Sequence, residues 1–520
     1  MVTVLIPTSG TGSRLGDTTN FTNKSLVKIG DVYAITRILR LYPSSTEFII
    51  TLGHFGTHVK QYIQLAHPDL QIRFVEVDNY KGEGSSLGYS MLHAKDLLQK
   101  PFYFHCCDTI LLEEVPFVTK NCLFGSLSQN ADSYATIQCE GSRSINLFRK
   151  GEGHSSLCYI GLAYIDDWKI FWEILQGIYE SNPNDSSLSD VYAIQRMIRD
   201  GTEFDCKELN GWYDTGNPQA IALAKKVFPC KYHVLEKPDE SLCFLETSVI
   251  KFFADSTICK KRVERGHLLY PFGPKILEAS DHFFNMEKIS GIPLGDSLEC
   301  SEVSHLLEWA WNALWKRQVR NASYKNQCRE FYKTKTVKRL QSLHLSSEEK
   351  SIVNGLHTGS WKDLVDQIDM NLLETDIFSY FHGDFILDNI LKVSDGYKLV
   401  DWRQDFDGNL EYGDMAYDLA KLRHNLYFHH ANILANLYTV EYDKDTVYID
   451  IKCNFVLLQH EKSIEEFCLR KGISFLKIKI LTSLIWLNMA PLYTGKLSEF
   501  LFYFGKFTLA STLRTSISIL

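Results

Sequence analysis

Up to about Val227 the chain alternates short β-branched runs with amphipathic stretches: VTVLIP, AITRILRLY, EFIITLG, THVKQYIQLA, IRFVEV, GYSMLHAKDLL and FYFHCCD in turn. A strand followed by a helix returns the chain to the same end of a sheet, so this β, α, β, α order predicts a mainly parallel sheet covered by helices. Residues 1–228 are therefore expected to form a Rossmann-like α/β domain. It closes where Phe228-Pro229 stops the helix PQAIALAKKV and strand-rich sequence restarts. With 520 residues and 45% hydrophobic side chains, the chain has material for about two to four domains.

Residues 229–520 read as a second domain. From Tyr232 to about Leu294, SLCFLETSVIKFF predicts a hairpin, KKRVERGHLL a helix and FFNMEKISG a further strand. Beyond Ser301 helices dominate, beginning with EVSHLLEWAWNALWKRQ. A small β-rich lobe (232–294) before a helical lobe (295–520) makes a bilobal α+β domain. The net charge of −8 offers no clustered basic face for nucleic acid. The 13 cysteines are scattered, with Cys106 and Cys107 adjacent and no zinc spacing, which suits a reducing cytoplasm. MVTVLIPTSG lacks a basic leader and reads as a buried first strand rather than a signal peptide. The apolar stretch ILTSLIWLNMAPLY, 14 residues long, reads as a buried helix rather than a membrane span. The expected partners are small-molecule substrates, and oligomeric state stays open.

The stretch Ile6–Gly30, IPTSGTGSRLGDTTNFTNKSLVKIG, leaves a strand through a glycine turn and then presents Arg14 and Lys24. It misses the dinucleotide fingerprint, because Gly10 and Gly12 are followed by Leu15 with Gly16 one place late. It also misses Walker A, because Lys24-Ser25 follows Asn23 rather than glycine. GxGSRL followed by Lys-x-Leu resembles the nucleotidylyltransferases that activate sugar phosphates or phosphocholine. NKSL is closer in wording to the phosphocholine cytidylyltransferases than to the PKPL of most sugar enzymes. The resemblance implies that backbone N–H groups of Gly10, Thr11, Gly12 and Ser13 approach a nucleoside triphosphate while Arg14 and Lys24 neutralise its charge. It further implies magnesium on Asp108, at the end of FYFHCCD, and on Asp214 of WYDTGNP. Gly84, Ser85 and Ser86 of YKGEGSSLGYSM stand where related enzymes contact the base.

A second signature, His382-Gly-Asp-Phe-Ile-Leu-Asp-Asn389 followed by Leu399-Val-Asp401-Trp402, resembles the aminoglycoside phosphotransferase and choline kinase families, which share the protein-kinase fold. The resemblance assigns Asp384 to the acceptor hydroxyl and Asn389 and Asp401 to magnesium. It makes Asp418, in GDMAYDLAK, a structural support of the catalytic loop. Lys251, set among β-formers in VIKFF, is expected to meet ATP, with Glu264 as its helix-borne partner and Glu287 as the competing choice. SLCFLETS lacks a glycine-rich phosphate loop, and HGD replaces HRD, so a small alcohol or sugar fits better than a protein as acceptor. A choline acceptor would need an aromatic cage, for which Trp309, Trp311, Trp402 and Trp486 are the candidates.

A kinase that makes a phosphate ester and a transferase that consumes one are consecutive steps. The combined expectation is a bifunctional enzyme using Mg2+ at both sites, ATP, and a second NTP (CTP, UTP, GTP or dTTP). Its product would be an NDP-sugar or a CDP-choline-like precursor of surface polysaccharide. The alternative is a single-activity enzyme whose other half is a regulatory nucleotide-binding module.

Overall fold

Thr3–Pro7 is buried at every position and lies inside a nine-stranded sheet. It pairs in parallel with Glu47–Leu52, in register from Thr3 opposite Glu47 to Pro7 opposite Thr51, and on its other side with Phe102–His105. Gln71–Glu76 continues the parallel set beyond Glu47–Leu52. The computed structural model describes residues 2–128, 131–152, 155–232, 237–296, 301–428, 430–452 and 455–517. By its contacts the chain divides into two compact units. One comprises Met1–Cys259 with Leu277–Met286, and the other Lys260–Ile276 with Glu287–Leu520.

The parallel expectation holds for these four strands and for Phe204–Glu208 beside Cys122–Leu127, while the rest of the sheet is antiparallel. Leu157–Ile165 runs antiparallel to both Phe102–His105 and Cys122–Leu127, and Thr136–Glu140 and Arg143–Phe148 form a hairpin at the far edge. From Cys122 to Ile165 the strands follow one another through linkers too short for crossover helices, so the chain turns back on itself there. The helices Trp168–Ser181 and Asp190–Arg199 then carry it over to Phe204–Glu208, which pairs in parallel with Cys122–Leu127. A bulge interrupts Leu157–Ile165 between Tyr159 and Leu162. Gly161 sits there at φ +72°, where a Cβ would come 2.9 Å from that of Cys106. The missing side chain lets the turn that carries Asp108 tuck against the bulge.

The division between the units does not follow Phe228. Glu240–Phe244 and Ser248–Phe253 pair as an antiparallel hairpin, and Phe283–Glu287 continues its sheet. Cys243, Ile250, Phe252 and Phe283 are buried in one apolar cluster with Tyr33, Val59 and Tyr62. A two-stranded hairpin cannot bury its own apolar face, and here the first unit covers it.

The second unit is largely helical, with Met415–Tyr427, Phe475–Met489 and Gly495–Ile517 packed through buried side chains. Phe475–Leu492 is the one segment among the described residues long and apolar enough to cross a membrane, and most of it is buried within the protein. The short strand Ile377–Tyr380 leads into the HGD loop, and the hairpin Ile390–Val393 with Gly396–Leu399 leads from it to Asp401.

Candidate functional site

In the first unit a cleft of about 490 Å³ opens at the glycine turn. Gly12 adopts φ +66°, and a Cβ there would lie 3.0 Å from the Cβ of Lys24, so the turn packs directly onto the lysine stem. Gly10 has open space above its Cα, Thr11 and Arg14 line the cleft, and Ser13 is exposed beside them. Lys24 is placed by Asn23, which is fully buried. The Asn23 amide donates to the carbonyls of Thr8 (2.8 Å) and His54 (2.6 Å), and its oxygen accepts from the backbone N–H of Ser25 (2.8 Å).

The two aspartates meet because their strands pair. Thr109–Leu111 and Trp212–Asp214 form an antiparallel ribbon with Thr109 opposite Asp214, and Thr215 donates its N–H to the Asp108 carbonyl at 2.9 Å. A Cβ built on Gly216 would lie 3.0 Å from Asp214 Oδ1, 3.2 Å from Arg14 Nη2 and 3.3 Å from Asp108 Oδ2. Residues about 200 positions apart in sequence thus converge on one point. Lys24 Nζ lies 3.3 Å from Asp108 Oδ2.

The electrostatics separate the two carboxylates. Burial would raise the Asp108 carboxyl, but the Lys24 ammonium and its hydrogen bond, with Arg14 beyond, hold it below the ordinary carboxylate range. Asp214 is raised, first by burial and then by the Asp108 charge. The Gly216 N–H at 2.8 Å and the Tyr134 hydroxyl at 3.2 Å donate to it and limit the rise. Two converging hard oxygen donors, with repulsion left between them, fit a magnesium ion that would also take phosphate oxygens.

Ser85 and Ser86 line the same cleft, and Ser86 caps the helix Leu87–Leu92 by accepting from the Tyr89 N–H at 3.0 Å. Gly84 precedes them in the turn. Tyr134, Tyr159, Asp190 and Trp212 also line the cleft, and none of them stood out in the sequence. Asp190 accepts from the Tyr159 hydroxyl at 2.7 Å, and burial pushes its carboxyl up to about 6.

In the second unit the HGD loop is held from beneath. Asp418 is fully buried on Met415–Tyr427 and accepts the backbone N–H groups of His382 (2.8 Å) and Gly383 (2.6 Å) and the Trp315 indole N–H (3.2 Å). His382 Nε2 donates to the Val400 carbonyl at 3.0 Å and its Nδ1 accepts the Asp384 N–H at 3.3 Å, which defines a neutral imidazole. Asp384 Oδ1 lies 2.7 Å from Lys421 Nζ, while Oδ2 accepts from the Asn389 amide at 3.2 Å. Burial would raise Asp384, yet Lys421 carries it down to about 2. The amide oxygen of Asn389 and the carboxylate of Asp401 are hard donors of the kind that could hold magnesium.

The expected partner of Lys251 is replaced. Lys251 is buried in Ser248–Phe253, with its ammonium 3.4 Å from Glu240 Oε2 on the neighbouring strand and 5.1 Å from the Phe253 ring centre. Glu264 and Glu287 are both exposed. On the helix Ser256–Leu269 it is Arg262 and Arg265 that reach the HGD loop and the segment after it. Arg262 Nη1 lies 3.2 Å from Asp401 Oδ1, and Arg265 donates to the carbonyls of Phe381 (2.7 Å) and Leu410 (3.1 Å). Two of the aromatic-cage candidates are core residues, Trp402 at 1% exposure and Trp486 at 0%. Trp309 packs edge-on against Tyr397, and Trp311 against Phe467.

No protein-family model matches the chain, and no curated protein matches it. Among solved structures it is similar to the CTP:phosphocholine cytidylyltransferase from Streptococcus pneumoniae, at 17% identity over 44% of this chain and 98% of that one, with a TM-score of 0.39. It is also similar to a UDP-glucose pyrophosphorylase complexed with UDP-glucose (15%, 44% and 98%, TM-score 0.38). A third such structure is the inositol-1-phosphate CTP transferase from T. maritima (13%, 44% and 98%, TM-score 0.36).

Proposed function

We propose that the chain is a bifunctional enzyme. The second unit phosphorylates a small hydroxyl substrate, a sugar or amino alcohol, with ATP. The first unit then joins that phosphate to a nucleotide, giving an NDP-sugar or a CDP-choline-like precursor for surface polysaccharide. The observation that carries the reading is the convergence of Asp108, Asp214 and Arg14 over Gly216, with Lys24 beside them in an open cleft.

In the first unit an ionised phosphate oxygen attacks the α-phosphorus of the NTP, a new P–O bond forms, and the bond to pyrophosphate breaks. The obstacle is repulsion between anions, so the chemistry calls for fixed positive charge rather than a general base. Arg14 and Lys24 supply that charge, and the N–H groups of the glycine turn cradle the triphosphate. Magnesium held by Asp108 and Asp214 would supply further charge neutralisation. In the second unit Asp384 accepts the hydroxyl proton as the γ-phosphoryl group moves to that oxygen, with Asn389 and Asp401 as the metal-binding pair. Asp418 supports this second reading by fixing the backbone on which Asp384 stands.

The two activities separate by substitution. Asp108→Asn is expected to slow pyrophosphate release on the order of 10³-fold while leaving ADP formation intact, and Asp384→Asn to do the reverse. Each substrate alcohol is assayed for ADP, and its phosphorylated product for pyrophosphate with CTP, UTP, GTP and dTTP. Pyrophosphate release at the normal rate by Asp108→Asn overturns the transferase assignment, and undiminished ADP formation by Asp384→Asn overturns the kinase assignment. A single-activity enzyme predicts that only one variant loses a reaction.

A further inference from the structure

Beside Asp384 stands a group of cations that the reaction as described does not use. Lys335 and Arg339 lie four residues apart on the helix Lys335–Gln341 and so share a face. The Lys335 ammonium sits 3.9 Å from the centre of the Phe331 ring, and the Arg403 guanidinium 4.9 Å from the same ring. Arg403 presses on the catalytic loop. Its N–H donates to the His382 carbonyl at 3.0 Å, and its Cβ lies 2.6 Å from where a Cβ of Gly383 would be. Lys421 closes the group at Asp384.

The charges there do not balance. Asp384 is taken by Lys421, and Asp405 by Lys261 at 2.7 Å. Among the described residues the Arg339 guanidinium donates to the Asn488 carbonyl and the Arg403 guanidinium to the Asp405 carbonyl, neither of them a charged acceptor. Among the described residues no carboxylate lies within ion-pair distance of Lys335, Arg339 or Arg403. Burial and then the charges of Arg403, Arg339 and Lys421 drive the Lys335 ammonium well below its ordinary range, against some relief from Asp405. Asp407 feels Lys335 from farther off. Clustered, half-buried cations without counter-ions are costly unless an anion joins them.

The two oxygens of Asp384 indicate which anion. Oδ2 is turned to Asn389, on the metal side where the donor phosphates belong, and Oδ1 to Lys421, on the side of the cations. We propose that the phosphoryl acceptor is itself an anion, a hydroxylated carboxylate or phosphate ester, whose charged group rests on Lys335, Arg339 and Arg403 while its hydroxyl reaches Asp384. This rests on the kinase reading and narrows it, because a cationic alcohol such as choline would add charge to a site already over-supplied with it.

The test uses the intact chain with ATP and magnesium and four alcohols: glycerate and glycerol 3-phosphate as anions, glycerol as the neutral form and choline as the cation. ADP release is expected at least 100-fold more efficient in kcat/KM for an anion than for glycerol or choline, and calorimetric titration without ATP should register the same anion. Lys335→Met and Arg403→Met should raise the acceptor KM tenfold or more with the ATP KM within twofold, and Lys335→Arg should restore it. Preference for choline or glycerol, failure of either anion to bind, or a rise in the ATP KM instead overturns the proposal. A bound anion sensitive to Lys335→Met, with no ADP formed from any alcohol, leaves the anion site standing and removes the kinase reading.

Discussion

At the scale of single residues, the environment of Asp214 sets how the first site responds to acid. Its carboxyl is raised by burial and by Asp108, so it takes up a proton at a pH where an exposed aspartate would stay ionised, and the pair of charged carboxylates is lost as pH falls. Tyr134 donates to the charged form. Tyr134→Phe is therefore expected to move the acid limb of kcat/KM for pyrophosphate release upward by about 0.5–1 pH unit, the worth of one such hydrogen bond. An unmoved limb separates Tyr134 from the titrating group. Asp108, Asp214, Lys24 and Arg14 were legible in the sequence because each sits in a motif with its own glycine or strand-end context. Tyr134, Asn23 and Lys421 were not, because their partners lie 80, 31 and 37 residues away and no local pattern announces such a pairing.

At the scale of elements, the HGD loop is held as much by Met415–Tyr427 as by its own residues. Asp418→Ala would leave two buried backbone N–H groups and an indole N–H without their acceptor, beside the buried Arg265. A loss of about 3–5 kcal/mol is expected in denaturant unfolding of the intact chain followed by tryptophan fluorescence. A loss below about 1 kcal/mol would mean that water replaces the carboxylate. The helix Ser256–Leu269 shows where element-level reading stops. Its charged residues recur too often for the pattern to name an inward face, and a shift of one position exchanges Glu264 for Arg265. The alternation before Asp108 was a sound guide because strands and helices there have different periods. Beyond it, the strands from Cys122 to Ile165 follow one another through short linkers, which the same alternation does not describe.

At the scale of the whole molecule, buried histidines set the acid tolerance. His105 and His382 have no exposure, His58 has little, and burial first lowers each of them to about 4. His105 accepts the Tyr42 hydroxyl on Nδ1 and donates from Nε2 to the Thr109 carbonyl, so it too is held neutral. Unfolding returns each to an ordinary value near 6.5, so the unfolded chain binds more protons. Their stabilisation is complete above that pH and is lost progressively as pH falls to 4. Asp190 and Asp418, raised to about 6 chiefly by burial, act in the opposite sense over part of the window. The balance predicts that the midpoint of urea unfolding falls between pH 6.5 and 4, and a flat or rising midpoint contradicts it.

The hairpin that begins at Glu240 makes a further demand. A fragment ending at 228 would uncover Tyr33, Val59 and Tyr62, and is expected to aggregate in light scattering where the intact chain stays dispersed. In evolutionary terms the folding module and the module read from the sequence have different edges. A gene crossover at the codon for Phe228 would hand each daughter chain half of a buried surface. A recombination that exchanges the second unit therefore has to carry the hairpin along with the first, and the heritable unit extends into sequence that reads as belonging to the second domain.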